Sequence, residues 1–273
     1  MLETSEVSIA VIHSSIEVGN RARNITKIER IVEKLSESSS IDLAVAPQMI
    51  NGIPLYNYLI TTVRRVKRVA ETIPGTTTQK ICVITNKYNK HLLVGPILER
   101  RGTKLYRSAF LTIPVLGVKG VVRQLEAFEG YGSNIEVPIL DMSKFKVGVV
   151  IAEDILYPEI SLLLNLASIN VLIFYPSLDV NLNKQRYLAM MRAIETRCTV
   201  IMIGGTITRR GEILLDVPTI AIDENGDVIE ELAGSEDRVL LVKIGVGADR
   251  GFMTHYRKSV LIKLRKLLSY LIK

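Results

Sequence analysis

The chain has 273 residues, 48% of them hydrophobic and 23% charged, with 35 Lys and Arg against 28 Asp and Glu for a formal charge of +7. That balance excludes a disordered chain and suffices for a well-covered core, at a length where α/β folds often form one domain. The start, Met1-Leu2-Glu3-Thr4-Ser5-Glu6, is acidic where a signal peptide is basic and then apolar, and no run is long enough to span a bilayer.

A cytoplasmic location is the expectation. The basic balance permits nucleic-acid or anionic-membrane contact without establishing either. Absent Trp, with abundant Ile, Val, Lys, Arg and Glu, suits a thermophile. Cys82 and Cys198 lie in apolar, strand-like segments and read as buried reduced thiols.

Val7 to His13 reads as the first strand, and Asn24 to Leu35 as a helix with Ile25, Ile28, Ile31, Val32 and Leu35 on one face. Asp42 to Ala46 is a short buried strand ending at Pro47-Gln48. Pro54 to Ile73 reads as a helix carrying the cluster Arg64-Arg65-Val66-Lys67-Arg68, closed by Gly75-Thr76-Thr77-Thr78. Lys80 to Thr85, His91 to Leu98 and Lys104 to Ile113 read as strands, the last two joined by a hairpin turn at Arg100-Arg101-Gly102-Thr103. Val121 to Leu125 is extended, and Glu126 to Ser133 forms an acidic loop.

Val147-Gly148-Val149-Val150-Ile151 is a fully buried strand by composition, and Pro158 suits the first turn of a helix over Glu159 to Ala167. The strand Val171 to Phe174, the helix Asn183 to Arg197 and the strand Val200 to Ile203 follow. Thr219 to Ile222 and Val228 to Glu231 form a hairpin on Asp223-Glu224-Asn225-Gly226, and Arg238 to Ile244 is a further strand. His255 to Ile272 is a basic amphipathic helix, which could lie on a membrane surface or pack on the body or on a second copy; packing is the favoured reading. With strands and helices interleaved and no linker or repeat, residues 1–273 read as a single domain, an α/β layered sandwich.

The passage from Ile151 into Glu153-Asp154 and Pro158 is the geometry on which enzymes mount a nucleophile beside backbone N–H groups. The residue presented there is Ala152, a bare methyl.

The order of these motifs resembles the nitrilase, or carbon–nitrogen hydrolase, superfamily. Asp42 to Gln48 resembles the family's strand ending in Pro-Glu. Gly95 to Arg100 and Leu105 to Ala109 resemble its paired strands, with Arg107 where the family usually has Asn. Val122-Arg123-Gln124-Leu125 resembles its Tyr-Arg-Lys segment, and Gly148 to Glu159 its Cys-x-Asp elbow. Tyr175-Pro176-Ser177 and Arg192-Ala193-Ile194-Glu195 match later motifs. The resemblance implies a four-layer α-β-β-α sandwich and assembly through homodimers or larger oligomers. It also implies chemistry by a Cys nucleophile, a Glu base and a Lys that stabilises the tetrahedral intermediate.

At the matching positions stand Ala152, Gln48 and Gln124. A methyl cannot attack, a carboxamide is no base near neutral pH, and Gln124 offers a dipole in place of a full charge. The expected protein is therefore a family member without the thiol chemistry, binding a ligand or a partner. Its pocket would comprise Gln48, Gln124, Ala152, Glu153 and Tyr157, suited to a small amide or carboxylate. The alternative is an amide or nitrile hydrolase in which Glu153 or Asp154 activates water, against the plainer reading that both brace the elbow. His13, His91 and His255 are scattered, and neither a metal nor a cofactor is expected. Nucleic-acid binding is disfavoured, because Arg64 to Arg68 and Arg209-Arg210 lack interleaved aromatics.

Overall fold

The computed structural model describes residues 5–38, 40–55, 69–126, 131–246, 259–263, 265–266 and 269. Most of the expected helix at 54–73, the cluster at 64–68, part of the loop at 126–133 and much of the C-terminal helix lie outside these residues.

Strand β1 (Ser5–His13) is followed by the short β2 (Ile16–Glu17) and helix α1 (Arg21–Ser36). The helix begins where the Asn20 side chain accepts the Arg23 N–H, and it buries Ile25, Ile28 and Val32 at helical spacing. Then come β3 (Leu43–Val45), α2 (Thr76–Tyr88), β4 (Leu92–Arg101), β5 (Lys104–Ile113) and β6 (Gly117–Arg123). Strand β15 (Arg238–Val246) returns from the far end of the chain and pairs antiparallel with β1, giving a six-stranded sheet of order β15-β1-β3-β4-β5-β6.

The second half runs β7 (Ile139–Asp141), β8 (Lys146–Ile151), a 3-10 turn at Ala152–Leu156, α3 (Pro158–Leu166), β9 (Val171–Tyr175), α4 (Leu182–Thr196) and β10 (Thr199–Met202). With β13 (Thr219–Ile222) and β14 (Val228–Leu232) these strands form a second sheet of order β14-β13-β10-β9-β8-β7. A third, small sheet joins β2 to β11 (Gly205–Arg209) and β12 (Glu212–Val217).

The two six-stranded sheets face each other, and the period-two alternation of their strands decides what lies between them. Along β8, Val147, Val149 and Ile151 enter the core shared by both sheets, whereas Val150 joins a second cluster with Leu164, Ala189 and Ala193 of α3 and α4. Gly148 lies on that helix-facing side. A Cβ there would stand 2.7 Å from Ile169 Cδ1, so the absent side chain is what lets the helix layer approach. Helices α1 and α2 cover the first sheet and α3 and α4 the second, which makes the four-layer α-β-β-α sandwich.

One expected strand is a helix. Thr76 to Tyr88 is α2, so Gly75 to Thr78 opens an element rather than closing one. Strand propensity misleads at Ile81-Cys82-Val83-Ile84-Thr85, because the buried positions Thr77, Thr78, Ile81, Ile84 and Thr85 recur every three or four residues. The start is fixed by Glu71, whose carboxylate accepts the Thr77 N–H at 2.7 Å and the Thr77 hydroxyl at 2.6 Å. Cys82 therefore sits on a half-exposed helix face, while Cys198 is buried; both are free thiols. Strands β2, β7, β11 and β12 have no counterpart in the sequence reading. No helix among the described residues is long and apolar enough to cross a membrane.

Candidate active-site region

Strand β8 delivers the chain to Ala152 with φ +54°, a left-handed conformation that costs a residue with a Cβ about 1 kcal/mol. The surroundings hold the turn in that state. Arg192, paired with Glu195 at 2.7 Å, donates from Nε and Nη2 to the Ile155 carbonyl at 3.0 and 2.9 Å. The Asp154 carboxylate accepts the Leu125 N–H at 2.8 Å on one oxygen and the Glu126 N–H at 3.0 Å on the other. Asp154 thus braces the elbow and anchors the chain just past Gln124. Ala152 itself is fully buried.

Of the three positions matched to the family's catalytic residues, Ala152 precedes Glu153, Gln124 bonds it directly and Gln48 is linked to it only through Pro176 and Ser177. Gln124, which follows β6 and is buried, donates from Nε2 to Glu153 Oε2 at 2.9 Å. Gln48, buried two residues past β3's last neighbour Ala46, donates from Nε2 to the Pro176 carbonyl at 3.2 Å. The next residue, Ser177, donates its hydroxyl to Glu153 Oε1 at 2.5 Å. Tyr157 stands apart. It lies at the outer end of the turn, 41% exposed, and shares no hydrogen bond with this cluster among the described residues.

The residue that organises the cluster is Arg107 of β5, 1% exposed. Its Nη1 donates to Glu153 Oε2 at 2.6 Å and to Gln124 Oε1 at 3.3 Å, and its Nε to the Leu55 carbonyl at 3.3 Å. Nη2 lies 3.9 Å from Asp179, and the guanidinium stacks over the Tyr131 ring at 4.9 Å. Sequence reading marked Arg107 only as a departure from the family's Asn and gave it no role. Ser177 was visible only as part of a motif, while Tyr131 and Asp179 carried no sequence signal.

Burial pushes the Glu153 carboxyl up, but the Arg107 guanidinium and then the Ser177 hydroxyl and Gln124 amide outweigh it, leaving the group below its ordinary range and ionised. Asp154 behaves oppositely: burial raises it to about 7 against its two backbone N–H partners. Burial also raises the Tyr175 phenol, whose hydroxyl donates to the Ala46 carbonyl at 3.4 Å across the inter-sheet core. A second buried ion pair lies nearby on the same sheet, where Arg123 grips Glu99 with bonds of 2.7 and 2.8 Å. Among the described residues no three His, Cys, Asp or Glu side chains gather to hold a metal ion. His13 is buried between the Thr219 hydroxyl and the Gly234 carbonyl, 2.8 Å from each.

Comparison with solved structures finds the same fold across nearly the whole chain. An amidase from Nesterenkonia, changed from Glu to Gln and from Cys to Ala and in complex with acrylamide, superposes with a TM-score of 0.74 at 15% identity, covering 96% of this chain and 98% of that one. Nit3 of Saccharomyces cerevisiae, of the nitrilase superfamily, gives 0.72 at 17% identity over 93% and 94% of the two chains. A CN-hydrolase superfamily protein from Xanthomonas campestris gives 0.71 at 13% identity over 93% and 94%. Among curated proteins none matches the sequence. The sequence profile of the family described as carbon-nitrogen hydrolase matches residues 8–248, and this chain belongs to that family.

Proposed function

We propose that this chain uses the carbon–nitrogen hydrolase fold to hold a small, uncleaved amide without performing thiol chemistry. The observation that carries the reading is the residue set around the elbow. Ala152 has no atom that can bond to a carbonyl carbon, and the side chains of Gln48 and Gln124 are neutral amides already turned to Pro176 and Glu153. The Nesterenkonia amidase offers a parallel. Its Glu-to-Gln and Cys-to-Ala changes lie as far apart in that chain as Gln48 and Ala152 lie here, and that protein is in complex with acrylamide.

The test is calorimetric titration of the purified protein with acrylamide, alongside an ammonia assay of the same samples. Heat of binding without ammonia release is the expected result. Ammonia release that disappears in Glu153→Ala would overturn it.

One observation favours a second reading, hydrolysis by carboxylate-activated water: Asp154, at about 7, titrates where a general base works best. Against it, both Asp154 oxygens are committed to backbone N–H groups, and Glu153 is held ionised and weakly basic by Arg107. Self-association is also part of the proposal. Leu163 on α3 and Tyr187, Met191 and Ile194 on α4 are large apolar or aromatic side chains left exposed on the outer helix layer, and such a patch suits a second copy of the chain. Light scattering reading the mass of a lone 30.4 kDa chain would contradict that part.

A further inference from the structure

Arg23, Lys27, Arg30 and Lys34 follow one another along α1 at intervals of four, three and four residues, so they form one stripe on its surface. At the helical rise this stripe runs about 16 Å. Two clefts open beside it. The smaller, about 280 Å³, lies between α1 and the β11–β12 hairpin, and the larger, about 890 Å³, between α1 and the start of β15. Arg23 and Lys27 line both, which makes them one continuous groove. Its larger part has apolar walls from Ile31, Leu35 and Val239, and Arg238 adds a fifth cation.

The acids of the groove are engaged within the protein. Glu17 accepts the Thr208 hydroxyl at 2.9 Å, and Glu33 accepts the Tyr88 hydroxyl at 3.2 Å. Asp237 accepts the Ser14 hydroxyl at 2.6 Å and lies 3.6 Å from Lys27. Arg23, Arg30 and Lys34, by contrast, form no ion pair among the described residues. Like charges four apart on a helix repel, at a cost of a few tenths of a kcal/mol per pair, roughly what an opposite pair returns. An anionic partner along the stripe offsets such repulsion, above all between Arg30 and Lys34, since Lys27 is already held by Asp237 and by the Ser15 carbonyl at 3.0 Å.

We infer that this groove docks an acidic, partly apolar extended segment of another protein. The spacing suits it. Alternate side chains of an extended peptide stand about 7 Å apart, close to the rise of about 6 Å from Arg23 to Lys27 and from Arg30 to Lys34, with a shorter step of about 4.5 Å between them. The apolar walls give the intervening side chains somewhere to bury. Among the described residues no aromatic ring lines the groove for bases to stack on, which disfavours single-stranded nucleic acid. The chain's own C-terminal segment, rich in Lys and Arg from 257 to 273, carries the wrong charge to fill it.

The inference concerns a surface separate from the Ala152 region and survives or fails independently of the ligand proposed there. The experiment is fluorescence anisotropy of a labelled peptide of alternating Glu and Leu, titrated with the full chain at low and at moderate salt. In parallel the chain is titrated with labelled oligothymidylate and with phosphatidylserine vesicles. Expected is salt-sensitive peptide binding that weakens about tenfold or more in Arg30→Glu/Lys34→Glu and is unchanged in Lys104→Glu, a residue that lines neither cleft. No peptide binding, equal binding by the double variant, or tighter binding of oligonucleotide or vesicles would each overturn it. Circular dichroism of the double variant confirms that loss of binding is not loss of fold.

Discussion

The Arg107 guanidinium meets the Glu153 carboxylate at 2.6 Å, directly beside the buried Ala152. The pair is almost wholly removed from water, with side-chain exposures of 1% and 12%. Removing one member strands the other as an uncompensated buried charge. Arg107→Met is therefore expected to destabilise the fold by about 3–5 kcal/mol, and Glu153→Gln by less, because an amide still bonds Ser177 and Gln124. Urea unfolding of both single variants and the double variant checks this: the double should be more stable than the sum of the singles predicts.

Asp154 gives stability a pH dependence. Its folded pKa, about 7, lies above that of the unfolded chain, so the folded state holds the proton more tightly. Its contribution is full below the unfolded value, near 4, and is lost as pH rises towards 7, at no more than about 1.4 kcal/mol per pH unit. Thermal melts should show this slope in the native chain and lose it in Asp154→Asn. A slope identical in both proteins refutes the assignment. Glu153 works in the opposite sense: its lowered pKa supplies stability that is lost only as pH falls below the ordinary carboxylate range.

Ala152→Cys places a thiol at the elbow but leaves residue 48, which the proposed function sets at the base's position, an amide. Alkylation by iodoacetamide should then be slow at neutral pH, and adding Gln48→Glu should raise its rate about tenfold or more. Mass spectrometry of the labelled peptide over time reads both rates. Equal rates would mean that residue 48 does not communicate with residue 152.

Gly148→Ala drives a methyl to 2.7 Å from Ile169 Cδ1 and 3.2 Å from Leu164 Cδ2. These contacts lie in the packed layer beneath α3, so the expected cost is about 1–3 kcal/mol in urea unfolding. Ile169→Val in the same chain should recover part of it.

Much of the architecture was legible because the buried strands announce themselves: β5 falls at the expected residues, and β1, β8, β9 and β13 within two of them. Helix α2 was not legible, since β-branched residues such as Val83 and Ile84 outvoted a burial period that only the sheet beneath reveals. Strands β11 and β12 were hidden for another reason. Strand β11 is placed by its pairing with β2, nearly two hundred positions away in sequence, while β12 pairs only with β11 and is partly exposed from Glu212 to Asp216. At the site, Gln48, Gln124, Ala152 and Glu153 could be marked from local motifs. The role of Arg107 could not, because the motif on its strand marks that position only as a departure, and its bonds reach the distant residues Leu55, Gln124 and Glu153.

The bond from Arg107 to Glu153 also bears on how this lineage can change. On the function proposed above, placing Glu, Lys and Cys at residues 48, 124 and 152 would set three side chains around a carboxylate still clamped by Arg107. On that reading, thiol chemistry calls for a fourth step at position 107, and taken alone that step only weakens the fold. Selection for stability alone keeps such a door shut.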